Sequence, residues 1–286
     1  QIWKDQGFDV GTDIKDDKKY GTILCALGKQ KEASLFQIAN ALKHLNDNGL
    51  FIAVAANNAG GKRLEKWMNE FCLETTSLSK AKCRVVWAYK KSLDTDILEK
   101  YYQAGLPQKI QIEDQEFTTQ AGIYGWNKID QGSKILTRYL PEDIKGAGAD
   151  FGCGYGFLAD NVLRNNDAVQ KLYVIDADYH ALECAKENLK QHDCVEFIWS
   201  DLTQITGTVK NLDFIVMNPP FHEGKKADSD IGKKFVETAQ QSLKLKGSLY
   251  MVANAHLPYK KTLNHYFNEV EKLTEESGFK VFKAIK

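Results

Sequence analysis

Two short runs carry the residues best suited to chemistry. The first is Asp150-Phe151-Gly152-Cys153-Gly154-Tyr155-Gly156-Phe157-Leu158-Ala159, which follows an apolar run and precedes a helical pattern. Glycines at Gly152, Gly154 and Gly156 let the backbone turn sharply and come close to a ligand. The helix after them points unpaired N–H groups and a positive dipole end at the same crevice, so the run, with Cys153 inside it, suits a nucleoside-bearing cofactor. A nicotinamide pocket needs G-x-G-x-x-G, whereas this chain has G-x-G-x-G. Asp150 heads the loop, badly placed for a pyrophosphate and well placed to receive the cationic amino group of a methionine moiety, which points to S-adenosyl-L-methionine. Asp176 closes the strand-like run 172–175, where such folds hold ribose hydroxyls. Asp201 closes the next run and is placed to meet the adenine amino group. A lone aspartate at a strand end reads as a cap or turn residue; acids closing consecutive strands read together as a cofactor site.

The second run is Asn218-Pro219-Pro220-Phe221, entered directly from the apolar run 212–217. The two prolines stop a strand ladder, remove two donors and stiffen the chain, holding the Asn218 amide and the Pro219 carbonyl toward one place. That suits methylation of an exocyclic amine whose lone pair is delocalised into its ring or carbonyl. Hydrogen bonds accepted from its N–H groups favour the pyramidal form that attacks, and positioning rather than a strong base supplies most of the rate. Phe221 offers a face for a flipped base, a contact worth about 1 to 3 kcal/mol in single-strand binders. The plain alternative is a strand ending in a proline-rich turn with a buried phenylalanine. The glycine loop, at the spacing of a first strand before a fourth, favours the functional reading; His222 reads as an exposed turn residue.

Bringing both runs to one edge takes a parallel sheet. Strand-like runs at 147–151, 172–175, 195–199, 212–217 and 248–253 alternate with helical patterns, the grammar of βαβ units. Similar grammar runs earlier, with strands at 22–27, 50–55 and 85–89, a helix over 32–45 and another from about residue 62, and predicts a largely parallel sheet there too. The segment 92–115, polar with Gly105 and Pro107, is the expected domain boundary. Leu45-x-x-x-Gly49-x-Phe51-x-x-Val54-Ala55 lines up with Leu243-x-x-x-Gly247-x-Leu249-x-x-Val252-Ala253. Duplication and shared βαβ geometry both account for a match of this length.

Composition narrows the function classes. At 286 residues the chain exceeds the size at which one core usually stops growing, so two domains are expected. No apolar run approaches the roughly 20 residues that cross a bilayer, which argues against a membrane-spanning function. Six cysteines without a C-x-x-C pair imply reduced thiols, a cytoplasmic location and no metal. Thirty-eight basic residues balance thirty-eight acidic ones, so no global field draws the molecule onto a polyanion. Lys225-Lys226, Lys233-Lys234 and Lys260-Lys261 read either as solvated helix faces or as a phosphate-binding patch, if the fold joins them. The chain opens on Gln1 and shows no secretory signal pattern; the front half is expected to begin partway through its domain.

Together these residues resemble the bacterial small-subunit ribosomal RNA guanine-N2 methyltransferases of the RsmC type, with an RlmG-like large-subunit relative close behind. Asn218-Pro219-Pro220-Phe221-His222-Glu223-Gly224 looks like that family's catalytic motif. Val252-Ala253-Asn254-Ala255-His256-Leu257-Pro258-Tyr259 and Phe279-Lys280-Val281-Phe282-Lys283-Ala284 resemble its carboxyl end. Phe117, Ala121-Gly122-Ile123-Tyr124 and Asp130-x-Gly132-Ser133 resemble its loop before the first strand, which implies contacts to the cofactor, those of Phe117 and Gly122 among them. The resemblance implies an α/β protein of tandem Rossmann-like methyltransferase domains, mostly parallel with an antiparallel C-terminal strand. Residues 111–286 would be catalytic, and residues 1–110 a degenerate, incomplete copy that supports folding and holds substrate. The front copy has Ile23-Leu24-Cys25-Ala26-Leu27-Gly28-Lys29 in place of the Asn-Pro-Pro-Phe strand and no amide acceptor. The implied reaction carries methyl from S-adenosylmethionine to guanine N2 of 16S ribosomal RNA, with small-subunit ribosomal RNA as partner. Methylation of 23S guanine N2, adenine N6 or protein glutamine N5 shares the Asn-Pro-Pro-aromatic logic. An RNA-binding scaffold with a vestigial pocket and an oxidoreductase are the remaining alternatives.

Overall fold

The computed structural model describes residues 2–12, 14, 18–112, 114–204, 209–220 and 226–286. The chain forms two compact units, Gln1–Pro107 and Gln108–Lys286.

The first unit runs α1 (Ile2–Asp5), β1 (Tyr20–Ala26), α2 (Lys31–His44), β2 (Leu45–Ala56), a 3-10 turn at Gly61–Arg63, α3 (Leu64–Asn69), β3 (Thr76–Lys80), β4 (Cys83–Tyr89) and α4 (Thr95–Gly105). Its sheet order is β1-β2-β4-β3. Only β1 and β2 pair in parallel; β4 runs antiparallel to both β2 and β3. The expectation of a largely parallel sheet therefore fails here. The two-residue turn Ala81-Lys82, both at positive φ, folds β3 back onto β4 as a hairpin, which the helix-rich reading of this stretch did not foresee. Segment 92–115, read as an irregular boundary, contains α4. Asp94 starts that helix, its carboxylate accepting from the Asp96 and Ile97 N–H groups at 3.0 Å each.

The second unit opens with the hairpin β5 (Gln108–Ile112) and β6 (Gln115–Thr119), then α5 (Gln131–Thr137) and β7 (Gly146–Phe151). It continues through α6 (Phe157–Asn165), β8 (Val169–Asp176), α7 (Tyr179–Asn188), β9 (Val195–Trp199), β10 (Leu212–Met217), α8 (Lys226–Ser242) and β11 (Leu243–Asn254). α9 (Tyr259–Tyr266), β12 (Glu269–Glu276) and β13 (Phe279–Ile285) complete it. The seven-stranded sheet has the order β12-β13-β11-β10-β7-β8-β9, parallel from β11 to β9, with β13 and β12 antiparallel. The chain leaves β7 toward β8 and β9, then returns to lay β10 on β7's other side. That reversal opens a crevice beyond the carboxyl ends of β7 and β10. Met217 pairs with Phe151 across it, so Gly152 and Asn218 leave neighbouring strands side by side. Alternation along β7 sends Ala149 and Phe151 into one apolar layer, with Val236, Tyr259 and Phe282. The opposite face meets a second layer with Leu136, Leu158 and Leu182, from α5, α6 and α7.

The two units share a module: β1-β2-β4-β3 reproduces the neighbour order β10-β11-β13-β12. β2 and β11 each hold one left-handed residue, Asn48 and Lys246, followed by Gly49 and Gly247. Lys90 and Lys286, just past the last strand of each module, bind these bends identically. Each accepts from and donates to the backbone of the bend, and each Nζ donates to the leucine carbonyl that opens the long strand, Leu45 at 2.9 Å and Leu243 at 2.7 Å. Cys25 pairs with Ala53 as Met217 pairs with Met251, so Ala26 stands where Asn218 stands. A β-carbon on Gly247 would lie 2.9 Å from the carbonyl oxygens of Leu212 and Lys244, and one on Gly49 2.8 Å from that of Asn46. Gly247→Ala and Gly49→Ala should each destabilise by about 1 to 3 kcal/mol, the cost of overpacking, in urea denaturation. Unchanged midpoints would disprove the constraint at these bends.

Candidate active site

The glycine loop is built by conformations that side chains resist. Gly152, Gly154 and Gly156 hold φ of 76°, 55° and 91°, a region open to glycine at little steric cost. The Gly152 and Cys153 N–H groups donate to the Ile175 carbonyl at 2.9 and 3.1 Å, tying the loop to the end of β8. The Gly154 N–H donates to Asp176 Oδ2 at 2.8 Å, and the Asp178 N–H to Asp176 Oδ1 at 2.8 Å. Each carboxylate oxygen retains a lone pair for a hydroxyl. Gly156 is the left-handed residue at the start of α6 and abuts Ala185 of α7 and Leu189, the residue that closes that helix. It sets helix packing, while Gly152, Cys153 and Gly154 line the cleft.

Asn218 faces the loop from β10. Its Nδ2 donates to Asp130 Oδ1 at 2.6 Å and to Ser133 Oγ at 2.9 Å. A carboxylate only accepts, so the amide has one permitted orientation, with the NH2 on Asp130 and Oδ1 turned away. That Oδ1 is buried and has no partner among the described residues, an unmet acceptor that costs about 1 to 3 kcal/mol unless a ligand donates to it. Asp130 is itself fixed. It caps α5 by accepting from the Ser133 N–H at 3.0 Å, and its Oδ2 accepts from the Tyr124 hydroxyl at 3.0 Å. Burial and Asp130 push the Tyr124 hydroxyl up to about 12, so it keeps the proton it donates. Tyr124, Asp130 and Ser133 line the cleft with Asn218. The family resemblance implies cofactor contacts for this loop, whereas the residues' own chemistry does not single them out: Asp130-x-x-Ser133 carries only the ordinary signature of a helix start.

Other predicted positions sit elsewhere. Asp150 is fully buried on the α6 face of β7, its Oδ2 accepting from the Ala159 N–H at 3.1 Å. It does not line the cleft; strand alternation directs it under the helix start, so direct receipt of an amino group gives way to support of the loop. Phe117 is 2% exposed and packs against the Tyr155 and Phe157 rings, a core role in place of the expected cofactor contact. Gly122, at φ 114°, lies outside the lining and precedes the lining residues Tyr124 and Gly125. Asp201 is spent within its own turn, accepting from the Thr203 N–H and hydroxyl and from the Gln204 amide at 2.7 to 3.0 Å. The turn-residue alternative describes it. Pro219 is buried and Pro220 exposed, while Phe221 and His222 lie outside the described residues.

The electrostatics select the ligand. Asp130 is the one charged residue lining the cleft among the described residues, which disfavours a pyrophosphate and accepts a cationic ligand. The Asn218 Oδ1, without a partner among the described residues, glycines at the wall and a free face on Asp176 fit S-adenosylmethionine. Burial pushes the Cys184 thiol up to about 12 and the Cys153 thiol well above its ordinary value, so both stay protonated at neutral pH. Among the described residues no group of three His, Cys, Asp or Glu side chains is placed to hold a metal. Burial lifts the Asp150 carboxyl from the usual carboxylate range to about 8, against the Ala159 hydrogen bond. The folded protein thus keeps a proton that the unfolded chain gives up above about pH 4. Stability should fall as pH rises from about 4 toward 8 and level off beyond. Asp150→Asn, which retains an acceptor for Ala159, should flatten that slope in denaturant melts; an unaltered slope would rule out Asp150 as its source.

Comparison with known proteins gives the fold its place. The family described as methyltransferase small domain matches residues 114–283, and its N-terminal companion, methyltransferase small domain N-terminal, matches residues 3–103. The ribosomal RNA small subunit methyltransferase C of Shewanella halifaxensis is 27% identical over 284 residues, 96% of this chain and 80% of that protein. Its namesake from Serratia proteamaculans is 28% identical over 271 residues, 92% of this chain and 74% of that protein. Among solved structures, the 16S rRNA N2 methyltransferase RsmC of T. thermophilus, in complex with AdoMet and guanosine, matches with a TM-score of 0.74. It is 23% identical and aligns over 94% of this chain and 73% of its own, a likeness of fold. With the catalytic-domain match alone spanning more than half its length, the chain belongs to the methyltransferase small domain family.

Proposed function

We propose that the chain methylates the N2 amine of a guanine in 16S ribosomal RNA, in the cytoplasm, with the small ribosomal subunit or its RNA as partner. The observation that carries this reading is the Asn218 amide, a lining residue of the cleft clamped by Asp130 and Ser133 through its nitrogen, whose buried oxygen has no partner among the described residues. The names of the relatives, ribosomal RNA small subunit methyltransferase C, support small-subunit ribosomal RNA as the substrate, and the guanosine held by the T. thermophilus 16S rRNA N2 methyltransferase supports guanine as the base.

S-adenosylmethionine supplies an electrophilic methyl on a positively charged sulfur and leaves as a neutral thioether. The cleft residues Gly152, Cys153 and Gly154 would seat it, with Asp176 on its ribose and Asp150 holding the loop from beneath. Asn218 Oδ1 and the Pro219 carbonyl would each accept from one N–H of the guanine amine. Two accepted bonds turn both hydrogens away from the donor and leave the lone pair directed at the methyl carbon. The proton on the methylated nitrogen becomes acidic once the new bond forms and passes to water, so no strong base is needed. Pro220 stiffens the turn, and Phe221 would stack on the flipped base. The first unit, with Ala26 at the Asn218 position, would hold substrate and support folding rather than catalyse.

Purified protein given S-adenosylmethionine and unmodified small-subunit RNA or subunits should produce N2-methylguanine by mass spectrometry. N6-methyladenine, N5-methylglutamine or methylation confined to 23S RNA would overturn the assignment. Asn218→Ala should slow transfer by about 100-fold with little change in cofactor affinity. Asp176→Ala should chiefly weaken cofactor binding; equal losses of both quantities in both variants would undo these roles. Asp130→Ser keeps the α5 cap but no longer reaches Asn218, and should lower kcat about 10-fold or more at unchanged melting temperature. Asp130→Asn keeps an acceptor for Asn218 and should restore most of the rate. Indistinguishable kcat values for the serine and asparagine variants would remove Asp130 from the mechanism.

A further inference from the structure

The fold sorts the three lysine pairs noted in the sequence. Lys234 of α8 is paired with Glu237, and Lys225 lies outside the described residues. Lys260 and Lys261, in the first turn of α9, are both exposed and form no ion pair among the described residues. They open onto a cleft of about 240 Å³ shared with Lys272, Lys280 and Glu275. Glu275 is taken up by its neighbours, Lys272 at 2.6 Å and Lys280 at 3.8 Å. Four cations against one anion give the cleft a formal charge of +3. The excess is local, because the whole chain is neutral.

Its place in the sheet gives the excess a use. Lys280 pairs with Ala253 near the carboxyl end of β11, the same rim at which β10 delivers Asn218. One strand, β11, separates β13 from β10, so the cleft stands roughly 10 Å along the rim at ~4.8 Å per strand. Two lysines in the first turn of a helix also oppose its dipole, and α9 has no acid there to offset them. An anion in the cleft relieves that opposition.

We propose that this cleft binds the phosphodiester backbone of the RNA beside the flipped target nucleotide, with Lys260 and Lys261 as the contacts that release counterions. The inference rests on the RNA-methylating reading and locates where a neutral protein grips a polyanion. The test compares the parent with Lys260→Ala/Lys261→Ala in methylation of small-subunit RNA across a salt series, with separate titration by S-adenosylmethionine. The double variant should keep its melting temperature, cofactor affinity and kcat. Its KM for RNA should rise about 10-fold near physiological salt, and its log-log salt slope should flatten by about 1.5, from two lost phosphate contacts. Lys186→Ala/Lys190→Ala, which removes one charge from α7 and one just past its end, should leave KM and slope near the parent values. A double variant with the parent's KM and slope, or an α7 variant with the same loss, overturns the cleft while the functional reading stands. A defect on assembled subunits but none on naked RNA would assign the cleft to an acidic protein surface and overturn it too. A parent that binds S-adenosylmethionine but neither binds nor methylates RNA overturns the functional reading, and the cleft with it.

Discussion

The hydrogen bond from Asn218 Nδ2 to Asp130 Oδ1 is the contact on which the site depends. An asparagine amide is nearly symmetric in shape, and a free one presents its oxygen or its nitrogen to a ligand with similar ease. Only the oxygen can accept from an amine. Asp130 breaks the symmetry because a carboxylate offers no proton, and Ser133 reinforces the choice from the same helix turn. What distinguishes this turn from any strand followed by two prolines is a polarity set by a residue 88 positions earlier.

That dependence explains the architecture around it. Asp130 must be rigid, so one of its oxygens is anchored by the α5 backbone and the other by Tyr124. α5 must in turn stay fixed against the sheet, which its buried Ile135 and Leu136 accomplish within the same apolar layer as Leu158 and Val216. The reversal of strand order then sets the glycine loop beside Asn218 without any contact specific to either. Topology supplies proximity, and the short polar chain from Tyr124 through Asp130 to Asn218 supplies orientation.

Much of this was legible beforehand, for reasons tied to period and spacing. The strands β7 to β11 are apolar runs ended by glycine, aspartate or proline, and buried parallel strands read that way in any sequence. The hairpins β3–β4 and β5–β6 escaped notice because Thr76–Lys80 is exposed throughout and Gln108–Ile112 offers only two alternating isoleucines in an otherwise polar run. Site residues divided along a similar line. Glycines forced by positive φ and the asparagine before two prolines announce themselves locally. The fates of Asp150, Phe117 and Asp201 were decided by which face of a strand or turn each side chain occupies. Asp130 was legible only through the family resemblance, since its own chemistry has an adequate local explanation as a helix cap.

The shared module sharpens the contrast between stability and chemistry. In both units a long strand bends at a left-handed residue and a glycine, and a lysine just past the last strand closes the bend. The two units share these features but not the amide acceptor: Ala26 occupies the position of Asn218 with no hydrogen-bonding side chain at all. The bend serves the sheet, because without it the orphaned leucine carbonyl at the strand's start would lose its donor. The amide serves only a ligand, and its unmet oxygen is a cost to folding. A module that binds no such ligand loses nothing by carrying alanine at that position. The unit whose asparagine oxygen is buried and without a partner among the described residues is the one whose structure calls for a ligand there.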